Sequence, residues 1–297
     1  MDATRYCSRL ASHEQMPGTA EPVDVWLLLE YRPPWRAKAV SNNDLAVEIA
    51  NWFSGLPDLL ATEGLKARLQ FIRQPELEPT QVRLLVGCAD SVFEFPADGY
   101  HELLRVDVLD VVANPNGYAK RRVDEPRYFV CTNGQRDLCC ARFGLPLYHA
   151  LRERFGARVW QTTHLGGHRF APNVLVLPQS TLYGRVTEAD LDDFLEDTEA
   201  GLLHLPLLRG RHGYPQPAQA AEAYLLDQVG GSWSLRDVAE SNNGWHVSFT
   251  CGSETARLRV EQPAEPEMIL KSCADDQAKP VRAYQVESCS IRTSLQD

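Results

Sequence analysis

The stretch RYFVCTNGQRDLCCARFGLPLYHALRERFGARVWQTTHLGGH, from Arg127 to His168, reads as strand, loop, helix, strand and tight turn. RYFVCT (127–132) is apolar and rich in β-formers, and LCCARFGLPLYHALRERFG (138–156) has helical spacing with a proline at 146. ARVWQTTHLG (157–166) returns to strand. NVLVLP (173–178) and LYGRV (182–186) follow as two more strands, and TEADLDDFLEDTEAG (187–201) as a capped helix. The order is β-α-β-β-β-α.

The same order stands about a hundred residues earlier. VDVWLLLEY (23–31) is a buried strand, and residues 44–65 form a helix that Pro57 is expected to interrupt. KARLQFIRQ (66–74), QVRLLVGC (81–88) and SVFEFP (91–96) are strands, and HELLRVDVLDVV (101–112) is a helix. ARLQFIRQ against ARVWQTTH, and VRLLVG against NVLVLP, are the visible echoes. The repeat predicts an α/β fold of tandem layers, and thioredoxin-like is one fold with this order. The expected domains are residues 1–117 as a scaffold copy and 118–202 as the copy carrying the Cys/His set. Residues 209–217 read as loop, and 218–297 as a small C-terminal helix-plus-strands unit.

Composition excludes several classes. The 297 residues carry a formal net charge of −10, which disfavours a dedicated nucleic-acid binder. No apolar run reaches the roughly 18 residues of a spanning helix, and none at the N-terminus forms a secretory core, so the expected compartment is the cytoplasm. The eight cysteines, at 7, 88, 131, 139, 140, 251, 273 and 289, do not form a small-domain disulfide framework. Between Lys120 and Arg169, ten Lys and Arg face four acids, a local excess of +6 that is expected to dock an acidic partner or an anionic ligand.

Cys131 falls at a strand end and Cys140 at the opening of a helix, whose N-terminus favours thiolate. His164 and His168 have helical spacing, but the two glycines between them predict a tight loop that turns both imidazoles to one point. A Cys pair with a His pair serves either a four-coordinate zinc or a [2Fe-2S] cluster with two Cys on one iron and two His on the other. The eight-residue gap between the cysteines is longer than a usual zinc-finger pair, and the alternating Cys-x-His pairs of a Rieske centre are absent. Neutral imidazoles leave such a cluster less negative than four thiolates do, which raises its potential, and an imidazole's second nitrogen can couple a proton to the electron. Adjacent Cys139 and Cys140 cannot easily point the same way, so Cys139 is expected in the core as a small hydrophobe, with a redox or alternative-ligand role as the rival reading.

CTNGQRDLCCARFG, then HLGGHRFAPNVLVLP, then LYGRV, resemble the sucrase/ferredoxin-like family, whose members include thioredoxin-like ferredoxins. The resemblance runs from about Cys7 to residue 200 and is tightest over 128–186. In its bis-histidinyl branch two Cys separated by eight residues and the two His of an H-x-G-G-H loop hold a [2Fe-2S] cluster. The resemblance therefore implies Cys131 and Cys140 on one iron and His164 and His168 on the other. Four-cysteine relatives have Cys where these histidines stand, so the chain looks like the histidine variant. No paired-carboxylate arrangement supports a sucrase activity.

Arg136 and Asp137 could order the ligand loop or lie in an exposed turn, and Arg169 could tune the site or serve the surface. His149 is expected to pack rather than ligate. Cys251, Cys273 and Cys289 lack the close spacing of a second metal site. The expected function is one-electron, proton-coupled transfer to an unidentified redox partner, by a carrier more than by an enzyme with its own substrate. Zinc binding by the same four residues, or thiol-disulfide exchange at Cys139 or Cys140, are the alternatives; the C-x-x-C that the latter normally uses is missing.

Overall fold

Two pairs of parallel strands, each pair linked by a helix, form the centre of the sheet. The computed structural model describes residues 6–78 and 80–293. A single helical turn, α1 (Cys7–Leu10), precedes β1 (Val25–Glu30), α2 (Val47–Ala61), β2 (Ala67–Arg73), β3 (Val82–Cys88), β4 (Ser91–Ala97), α3 (Tyr100–Leu103) and α4 (Val108–Ala113). The order recurs as β5 (Arg127–Cys131), α5 (Leu138–Phe155), β6 (Val159–Thr162), β7 (Asn173–Leu177), β8 (Thr181–Gly184) and α6 (Leu191–Glu199). In each half the first two strands are parallel and the next two antiparallel, giving β4-β3-β1-β2 and β6-β5-β7-β8. A parallel pair requires a crossover and an antiparallel pair only a hairpin, which is why the helix always follows the first strand. This is the thioredoxin-like order, twice.

The halves meet edge to edge. Ile72 pairs with Thr162 and Arg73 with Gln161, so β2 and β6 join the two sheets into one. The combined sheet curls, and residues of both halves share a core: Trp26, Leu28 and Leu85 from the first pack with Phe129, Leu175 and Leu182 from the second. Alternate residues of β1, namely Val25, Leu27 and Leu29, face the other way into the core under α2. Both faces of β1 are covered, which explains its unbroken apolar run.

Three expectations need correction. Pro57 does not interrupt α2, and Pro146 lies within α5. Each proline forfeits one backbone bond, but buried Phe53, Leu56 and Leu60 flank Pro57, and buried Cys140, Gly144, Leu147 and Leu151 flank Pro146, and hold each helix to the sheet. The helix expected over 101–112 is two helices, because the Asp107 side chain accepts the Asp110 amide and starts α4 afresh. Part of the loop expected over 209–217 is a ninth strand, β9 (Leu208–Arg211), which extends the sheet beyond β8.

After β9, α7 (Gln216–Val229) leads into an antiparallel sheet of β10 (Ser234–Ser241), β11 (Gly244–Cys251), β12 (Glu254–Glu261) and β15 (Gln285–Thr293). Between β12 and β15 runs a small ribbon, β13 (Glu267–Ile269) with β14 (Lys279–Val281). The C-terminal unit thus has the expected helix-plus-strands composition, with Ala218, Ala221 and Leu225 of α7 packed on Val247, Phe249 and Leu258 of the sheet.

The position of α5 depends on one contact. A Cβ on Gly144 would lie 2.2 Å from the carbonyl oxygen of Cys131, so the helix approaches β5 more closely than any side chain permits. Gly144→Ala is expected to lower the unfolding free energy by about 1–3 kcal/mol or more. Gly55→Ala, at a helical position with open space around it, is expected to be neutral or stabilising by up to about 1 kcal/mol. Urea unfolding of both variants checks this, and an unchanged Gly144→Ala midpoint contradicts the close-packing assignment.

Candidate metal centre

Cys131 is the last residue of β5 and Cys140 the third of α5, and both are fully buried. The loop between them ends at Asp137, whose side chain accepts the Cys139 amide at 3.0 Å and caps the helix. Asp137 is buried, which decides against an exposed turn; Arg136 beside it is exposed. Cap and strand end together aim Cys140 back towards Cys131.

His164 and His168 reach the same point from the loop after β6. Gly166 and Gly167 both have positive φ, at 92° and 69°, and reverse the chain so that the two rings stack at 4.0 Å with 19° between their planes. Stacking in this sense presents one edge of each ring to Cys140, with both Nδ1 atoms 4.0 Å from its Sγ. The donor atoms of Cys131, Cys140 and His164 all lie within 4.8 Å of one another. Both histidines are half-buried, at the rim, and both cysteines lie behind them.

The electrostatics favour metal-ready forms of Cys131 and His168, and place the thiolate on Cys131 and not on Cys140 at the helix opening. The Cys140 thiol, hydrogen-bonded to Cys131, holds Cys131 well below the usual thiol range, with His164 and the Leu165 amide adding to the effect. Cys140 is raised in turn by the same partner and by burial. Burial, and then the neighbouring His164, push His168 down to about 4, so its imidazole is neutral at pH 7. A thiolate and neutral imidazole are what ligation requires.

Residues not singled out from sequence hold the histidine loop. From the first half, Arg68 and Gln70 of β2 each donate to the His164 carbonyl at 3.1 Å. From β9, buried Arg209 donates to Gly166 O at 2.9 Å, Asn173 Oδ1 at 2.7 Å and Thr19 O at 2.8 Å, and Asn173 donates to Gly167 O at 3.0 Å. A Cβ on Gly167 would meet the Arg209 guanidinium at 2.6 Å, so this glycine is required by φ and by space. Arg169 does not face the cysteines but forms a two-point ion pair with Glu14, at 2.5 and 2.8 Å. His149 is exposed on α5. No local pattern marks Arg209: LRGR lacks strand alternation, and residues 209–217 read as loop.

Half of the ten basic residues between Lys120 and Arg169 are paired within the chain. Arg122, Arg152, Arg154, Arg158 and Arg169 pair with Asp124, Glu76, Asp192, Glu199 and Glu14. Arg136 and Arg142, exposed near the site, have no such partner among the described residues.

The fold and site define a tandem thioredoxin-like protein whose second half brings the donor atoms of Cys131, Cys140 and His164 together, with His168 stacked on His164. The family model described as sucrase/ferredoxin-like matches residues 16–210, well over half of the chain, and the chain belongs to that family. No curated protein matches it. A solved structure, a thioredoxin-like [2Fe-2S] ferredoxin from Aquifex aeolicus, is similar at 20% identity and a TM-score of 0.27, over 31% of this chain and 97% of that one. No helix among the described residues is long and apolar enough to cross a membrane.

Arg209→Leu leaves the Gly166 and Thr19 carbonyls without their donor and is expected to cost at least about 2 kcal/mol. Hydrogen exchange is expected to quicken first at residues 164–170, and unchanged protection there contradicts the bracing role.

Proposed function

We propose that Cys131, Cys140, His164 and His168 hold one [2Fe-2S] cluster and that the protein carries single electrons rather than acting on a substrate of its own. The observation that carries this reading is the convergence of two buried thiols and two parallel imidazoles beyond the end of β5. The donor set fits: soft sulfur from the interior, neutral nitrogen from the rim, and a family described as ferredoxin-like. Such a cluster supplies a one-electron couple.

The chain's own residues do the rest. Cys131 and Cys140 bind where water is excluded, and the carbonyl braces from Arg68, Gln70 and Arg209 fix the loop that presents His164 and His168. With Nδ1 turned towards the sulfurs, Nε2 lies on the far edge of each ring, where it takes up a proton when the site gains negative charge. A depression of about 250 Å³, bounded by Lys38, Ser41, Arg68, Asn133 and His164, offers a partner its approach. Arg136 and Arg142 favour a partner with an acidic docking surface, in the cytoplasm, with neither nucleic acid nor membrane involved.

A second reading, one zinc ion on the same four residues, is favoured by one measurement: the 4.0 Å sulfur–nitrogen separations are near the roughly 3.5 Å expected around a single tetrahedral zinc. Expression under anaerobic, iron-replete conditions separates the two. The cluster reading predicts brown protein with two iron and two acid-labile sulfide per chain, lost in Cys131→Ser and Cys140→Ser and kept in Cys139→Ser. Colourless protein with neither iron nor sulfide contradicts it.

A further inference from the structure

Cys139 is buried as expected, in a small apolar cluster with Cys7 and Ala171, but it is not an isolated thiol there, and Cys273 does not group with Cys251 and Cys289. They meet each other and Cys7. Cys139 Sγ is 3.5 Å from Cys7 Sγ and 3.1 Å from Cys273 Sγ, and Cys273 Sγ is 3.7 Å from Cys7 Sγ. The Asp137 carboxylate closes the group, with Oδ1 3.9 Å from Cys7 Sγ, and all four donor atoms lie within 4.8 Å of one another. The four residues come from α1, from the start of α5 and from the loop after β13, the first and second cysteines 132 positions apart and the second and third 134. Cys7, Cys139 and Asp137 are buried and Cys273 is half-buried.

This geometry is specific. Zinc–sulfur bonds of about 2.3 Å put the sulfurs of a tetrahedral site about 3.8 Å apart; the Cys7–Cys273 and Cys7–Cys139 separations are near this, and Cys139–Cys273 opens by about 0.7 Å on binding. A disulfide needs about 2.05 Å, and all three cysteines are free. Two of the three sulfurs accept a further hydrogen bond: Ser8 Oγ donates to Cys139 Sγ at 3.3 Å and the Cys7 amide to Cys273 Sγ at 3.4 Å. Asp137 Oδ2 accepts from Ser272 Oγ at 2.7 Å and from the Cys273 amide at 2.9 Å, which turns Oδ1 towards the thiols. Metal-binding carboxylates and thiolates are oriented by such outer hydrogen bonds. The carboxylate that caps α5 thus also faces the three thiols and places an oxygen donor in an otherwise apolar cluster.

We propose that Cys7, Cys139, Cys273 and Asp137 form a second metal site that takes a single zinc ion and clamps the N-terminal turn and the C-terminal loop to the start of α5. Three sulfurs with one carboxylate in a closed set suit zinc and not the oxygen-seeking magnesium or calcium. Binding releases to solvent whatever protons the three sulfurs still hold and moves no electron, and four protein ligands leave no open position, so the site is structural. The neighbouring residues Cys139 and Cys140 then belong to different sites, and this inference does not depend on what Cys140 holds.

The test uses the full-length chain made in zinc-supplemented medium, with metal mass spectrometry and zinc X-ray absorption. The expected result is one zinc equivalent lost in Cys7→Ser and in Cys273→Ser but retained in Cys131→Ser, with three sulfurs per zinc at about 2.3 Å in Cys131→Ser. Because Cys273 is in a half-buried loop, its serine variant reads metal loss apart from core damage; circular dichroism verifies the fold. Zinc-free protein overturns the proposal. So does zinc unchanged in both variants, or a disulfide joining any two of these cysteines in the metal-loaded chain.

Discussion

The approach of α5 to the carbonyl of Cys131 is the contact on which both groups of cysteines depend. Only a glycine fits at 144, and with the helix that close, its first turn lies directly over the end of β5. The Asp137 cap then fixes the rotation of that turn. Adjacent residues on a helix point about 100° apart, so Cys140 faces Cys131 and the histidines while Cys139 faces Cys7 and Cys273. A cap of this kind contributes about 1 kcal/mol as local structure. Its larger consequence is to sort two vicinal thiols into two surroundings.

The duplicated fold braces the site. β2 and β6 share an edge, which brings Arg68 and Gln70 of the first half to the histidine loop of the second. β9 brings Arg209 from the opposite side, and the N-terminal segment adds Glu14 beneath Arg169. Burying a guanidinium is costly, and burial holds Arg209 well below its usual range. The cost is offset because its donors meet backbone carbonyls and an amide oxygen that would otherwise be unsatisfied beneath a loop with two left-handed residues. The first copy, without a Cys/His set of its own, acts as half of the mould.

What was legible in the sequence was local. Apolar alternation and helical spacing marked the strands and helices of both repeats, and Gly166 and Gly167 marked the reversal that brings His168 over His164. Pro57 misled because a proline's local penalty says nothing of the buried side chains that hold the helix on either side. β9 was hidden because a short edge strand with Gly210 and two arginines has no alternation to read, and with it went Arg209. Cys139 could be separated from Cys140 by direction, but Cys7 and Cys273 are linked to it only by tertiary folding, and spacing rules do not reach ligands that far apart.

The central claim is that two imidazoles and two thiolates from the second repeat bind one redox cluster. Pulsed electron paramagnetic resonance on the reduced full-length protein, prepared with 15N-histidine, examines the claim at the atoms concerned. The account predicts two strongly coupled histidine nitrogens, one of them lost in His164→Cys and the other in His168→Cys. A reduced cluster with no histidine coupling contradicts it.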